Sequence, residues 1–128
     1  MSDQTLGECI EALEAGYEFL LAYAAQGFEA NQAGGHTADV RRHLESMSTG
    51  LTRLSEAAQI AAEERDGPQL TYSEFLTTLR DDARKASGVL ALVLAREGIS
   101  SQIIDNFNAS SHIRTLLTDL FLLDEALR

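Results

Sequence analysis

Apolar residues recur in steps of three and four along most of this chain. Leu6, Ile10, Leu13, Tyr17, Leu20 and Ala24 fall on one helix face, so the spacing predicts a first helix from about Thr5 to Gln26. Thr5 and Glu8 have the spacing of a capping box, and Gly27 suits a helix stop. Phe28 to His36, with Asn31, Gly34 and Gly35, reads as a loop. Thr37 is placed to cap a second helix. There Val40, Leu44, Met47, Leu51, Leu54, Ala58 and Ala61 keep the same alternation between polar flanks, up to the turn signal Asp66-Gly67-Pro68.

Thr71 and Glu74 have the spacing of another capping box, with Leu70 and Phe75 placed for a hydrophobic staple. Phe75, Leu79, Ala83, Ala86, Leu90 and Val93 form a third stripe, with Gly98 as its expected stop. Val89 to Ala95 has a composition that also suits a buried strand. No second strand candidate exists to pair with it, and its Leu and Ala residues favour helix. Ile99 to Asn108 reads as one short helix. After a break at Asn108–Ser111, Ser111 is placed to cap a final stripe of Ile113, Leu116, Leu120, Leu123 and Leu127. The expected fold is all-α: a single-domain, up-and-down bundle of about four helices over residues 1–128, the last kinked or split near Asn108–Ser111.

Two helices carry more apolar surface than one stripe needs. On the first, Ala12, Gly16, Phe19 and Tyr23 form a second line. On the last, Leu117, Phe121 and Leu122 widen the arc. Large apolar patches are rarely left exposed on monomers, and a symmetric dimer is the commonest way to cover them. These seven residues are the expected interface, and a homodimer is the expected state. The alternative is that these segments are central in a monomer.

Composition narrows the functional classes. The 128 residues carry a net charge of −10, with Lys85 the one lysine. Such a balance argues against nucleic-acid and anionic-membrane partners, both of which need clustered cations. The single cysteine, Cys9, excludes an intramolecular disulfide and fits a reducing compartment. The chain begins without signal-peptide features, and its longest apolar run falls far short of the roughly 20 residues of a membrane span. A cytoplasmic location is expected.

Motifs for chemistry are sparse. The histidines are His36, His43 and His112, and none completes the Glu-x-x-His pair of di-iron bundles. Asp39 and His43 lie four apart on one helix face, the one candidate pair for a metal. Glu8, Glu11 and Glu14 offer the first half of a magnesium-binding Glu-x-x-Glu pair, but Glu63 and Asp66 are the only later partners. Cys9 sits beside the first stripe as a small buried hydrophobe rather than a nucleophile. No nucleophile elbow or phosphate loop is present. No cofactor is expected.

The segment His43-Leu-Glu-Ser-Met-Ser-Thr-Gly50 is similar to the phosphorylated-histidine segment of histidine phosphotransfer domains, which are four-helix bundles. Ser46 and Met47 stand where that pattern has a lysine followed by a small residue. The resemblance covers one helix and implies a phosphoacceptor at His43. By elimination, the expected function is a non-enzymatic protein-interaction module: an adaptor, chaperone or regulatory subunit. A histidine-dependent site is the alternative, either phosphotransfer at His43 or a metal centre at Asp39 and His43. The Gly27–His36 loop, with Phe28, Asn31, Gln32 and His36, is a further place for function.

Overall fold

The structure is a computed structural model that describes residues 5–29, 34–65 and 69–128. The side chains of residues 34–35 and 69–70 lie outside that description. Five helices form, and no strand occurs among the described residues: α1 (Leu6–Ala25), α2 (Gly34–Glu63), α3 (Gln69–Leu94), α4 (Ser101–Ala109) and α5 (His112–Ala126). Among the described residues the count is five; the periodicity suggests about four, the last kinked or split near Asn108–Ser111. No helix among the described residues is long and apolar enough to cross a membrane.

The α1 boundaries follow from local chemistry. Thr5 accepts from the Glu8 amide at 3.2 Å, and the Glu8 carboxylate accepts from the Thr5 amide at 3.0 Å. These bonds satisfy two of the donors that every helix start leaves unpaired. At the other end Gly27 takes a positive φ of 73°, a region open to glycine without strain.

Other boundaries depart from the local signals. Helix α2 begins at Gly34, so Thr37 lies in its first turn rather than at its cap, and the connection before it is shorter than Gly27–His36. Helix α3 begins at Gln69, so Thr71 and Glu74 are not a capping box; the Leu70 staple falls outside the described side chains. Helix α3 also stops at Leu94, four residues before Gly98. A side chain from α2 ends it. The Arg41 guanidinium donates to the carbonyls of Leu94 at 2.8 Å, Arg96 at 2.6 Å and Glu97 at 3.3 Å. Carbonyls left over at a helix end are thereby satisfied from 53 or more positions away in sequence.

Helix α4 is capped by Ser100, which accepts from the Ile103 amide at 3.2 Å. Ser111 does precede α5, but it makes no side-chain cap bond. It sits at φ 69° and hydrogen-bonds instead with Ala109 and Arg114.

The buried apolar residues form one cluster to which all five helices contribute. Leu13 and Leu20 of α1, Leu44, Met47 and Leu54 of α2, Leu79 and Leu90 of α3, Ile104 of α4, and Leu116 and Leu120 of α5 are fully enclosed. Gly16 sets the approach of α1 to α2, because a Cβ there would collide with the Met47 side chain. Helix α2 passes α1 in the opposite direction: Phe19 meets His43, Gly16 meets Met47, and Gly50 lies beside Leu13.

Candidate functional site

Two regions gather residues with chemical potential. The first joins the end of α1, the start of α2 and the segment before α4. His43 stacks on Phe19 with centroids 3.9 Å apart, and His36 stacks on Phe28 at 4.0 Å. Tyr23 stands between, 6.1 Å from Phe19 and 5.2 Å from Phe28. The rings of Phe19, Tyr23, Phe28 and His36, with Ala22, Gln26 and Asp39, line a small cavity of about 160 Å³.

Hydrogen bonds between distant residues lock this region. The buried Tyr23 hydroxyl donates to the Ile99 carbonyl, and the Ser101 hydroxyl donates to the Tyr23 carbonyl. Ser101 also accepts from the Phe28 amide at 2.8 Å, and its own amide donates to the Phe28 carbonyl at 2.8 Å. Burial pushes the Tyr23 phenol pKa up. Burial also lowers the His43 pKa; neighbouring Arg42 acts in the same direction and Asp39 opposes them. These surroundings favour the neutral imidazole.

Sequence spacing pairs Asp39 with His43, but the Asp39 carboxylate bridges Arg42 at 3.1 Å. Among the described residues no three His, Cys, Asp or Glu side chains are grouped to hold a metal ion. Cys9 is fully buried, and burial raises its thiol pKa. A thiol in that state is a poor nucleophile.

The second region is the seam of α3 and α5 with the outer face of α5. Tyr72 and Phe75 of α3 and Leu122, Leu123 and Ala126 of α5 line an apolar groove of about 310 Å³, with Thr71 at its edge. Asp119 also lies on this seam. It is only 8% exposed, and its Oδ2 has no hydrogen-bond partner. Burial pushes its pKa to about 7, and the neighbouring Asp82 carboxyl on α3 pushes the same way. Out of water and beside a second carboxyl, Asp119 holds its proton more tightly than an ordinary aspartate does.

Sequence reasoning missed this pair. The available signal was phase: Asp119 lies three residues after Leu116 and four before Leu123, on the edge of the buried stripe.

The seven residues expected at an interface separate. Gly16, Tyr23 and Leu117 are buried within the chain. Gly16 admits Met47 rather than a second backbone, and the Tyr23 hydroxyl is bonded to Ile99. Ala12 and Phe19 are half-buried, and Phe19 is covered by His43. Phe121 and Leu122 stay outside, 48% and 58% exposed. In the apolar run from Val89 to the end of α3, Leu92 is likewise outside, 70% exposed. No protein-family model, no curated protein and no solved structure matches this chain.

Proposed function

We propose that this chain is a non-enzymatic protein-interaction module that works through α5. In this reading it is a single-domain, cytoplasmic, up-and-down bundle in which α4 and α5 together make the fourth arm. The observation that carries the proposal is the pair Phe121–Leu122. Two large apolar side chains stand exposed side by side on α5, and Leu122 also borders the apolar groove. An apolar anchor beside a groove is the usual centre of a protein interface. The chain then acts as an adaptor, chaperone or regulatory subunit that also associates with itself.

Light scattering on the purified chain across a concentration series tests this reading. Self-association that is lost on Phe121→Glu or Leu122→Glu, with an unchanged circular dichroism spectrum, is the expected result. Association indifferent to both substitutions, or a monomer at every concentration, counts against it.

A further inference from the structure

The outer face of α5 carries a line of side chains in the order Arg114, Thr118, Phe121 and Glu125, all exposed. Steps of four, three and four keep them within one narrow arc of a helix. Leu116 and Leu120, fully buried, lie on the opposite side. The line begins with a cation and ends with an anion. The eleven steps from Arg114 to Glu125 span about 16 Å of helix, too far for the two to pair within one chain.

Reversed, this pattern matches itself. If two α5 helices lie antiparallel about a two-fold axis between residues 119 and 120, Arg114 of each copy faces Glu125 of the other. Phe121 of each then faces Thr118 of the other. Isologous dimers have this self-complementary form.

The neighbouring helix supports the match. Glu14, Tyr17 and Glu18 of α1 join Arg114, Leu117, Thr118 and Phe121 around a surface groove of about 280 Å³. A phenyl ring arriving over Thr118 enters that groove. Glu14 and Glu18 give that groove negative charge. Arg114 at present contacts only the Ser111 hydroxyl among the hydrogen bonds described, and Glu125 only approaches Arg128 at 4.0 Å. Both are exposed contacts of the kind that exchange cheaply.

We infer that the partner of this face is a second copy of the chain, packed antiparallel through α5 with Arg114 and Glu125 pairing reciprocally. The inference rests on the interaction reading above and fixes its partner and register.

Sedimentation velocity on the full chain tests it. Arg114→Glu alone sets Glu against Glu, and Glu125→Arg alone sets Arg against Arg. Each is expected to weaken self-association by about tenfold or more. An equimolar mixture of the two variants places opposite charges at both contacts and is expected to restore dimers, as is the double variant R114E/E125R. Both sites are exposed, so unchanged thermal melting provides the folding control.

Single variants that associate like the parent chain, or a mixture that fails to recover, overturn the inference. If Phe121→Glu still abolishes association in that case, the register is wrong and the interaction reading stands. If Phe121→Glu also has no effect, both fall. A parent chain that sediments as a monomer at all concentrations overturns the inference outright.

Discussion

The junction of α1 with α4 and the seam of α3 with α5 are built by opposite means. At the first, a tyrosine and a serine tie together backbone segments more than 70 positions apart, and stacked rings cover what remains. At the seam Asp119 is buried with one oxygen lacking a hydrogen-bond partner, and Leu122 faces outward. Polar groups buried with partners specify a geometry, whereas a carboxyl buried beside another carboxyl costs stability once it ionises. The α1–α4 junction is therefore fixed by paired polar groups. The α3–α5 side buries a carboxyl and leaves Leu122 exposed; in the reading proposed above it belongs to the binding face.

The largest expected effect tests the seam. The Asp119 pKa is raised, so the folded chain holds this proton more tightly than the unfolded one. Its contribution to stability is fully present below the ordinary carboxylate value and is lost as pH rises through about 7. Asp119→Asn should thus leave stability nearly unchanged at pH 4 and raise it at pH 8.5 by roughly 2–4 kcal/mol. Urea unfolding at both pH values measures the difference, and an equal effect at the two would dismiss the buried-acid account.

Next in size is the junction. Ser101→Ala leaves the Tyr23 carbonyl and the Phe28 amide without this partner. It should cost about 2 kcal/mol, independent of pH. The contrast between these two pH profiles is the sharpest test of the comparison. A smaller effect is expected at the α1–α2 contact. Gly16→Ala brings a Cβ onto Met47 and should destabilise by about 1 kcal/mol. In a Met47→Ala background the same change should stabilise, because only the helix-propensity gain remains; thermal melts of the three variants decide the sign. The smallest effect on stability belongs to Phe121→Glu, within about 0.5 kcal/mol. Its consequence should appear in association alone.

Some of this was legible from residue order. The stripe of Leu6, Ile10, Leu13 and Leu20 identifies the buried face of α1, and the Thr5–Glu8 box places its start, because both depend on neighbours three or four residues away. The same reasoning fails at Thr71 and Gly98. A capping motif scores equally well one turn inside a helix, and α3 ends where Arg41 reaches its carbonyls. The surplus apolar residues show the same limit. Period alone places Phe19 and Phe121 alike beyond a main stripe, yet one is covered by His43 and the other is exposed.

By itself, the sequence determined that this chain is helical, that its core is built of leucine stripes, and that its surface is acidic. These properties depend on short-range spacing and composition. Tertiary structure alone decided which extra apolar residues are consumed inside the chain. It also set the aromatic rings against His36 and His43 and brought Asp82 to Asp119. Each of these depends on which helix faces which, and that is settled by the packing of all five helices at once.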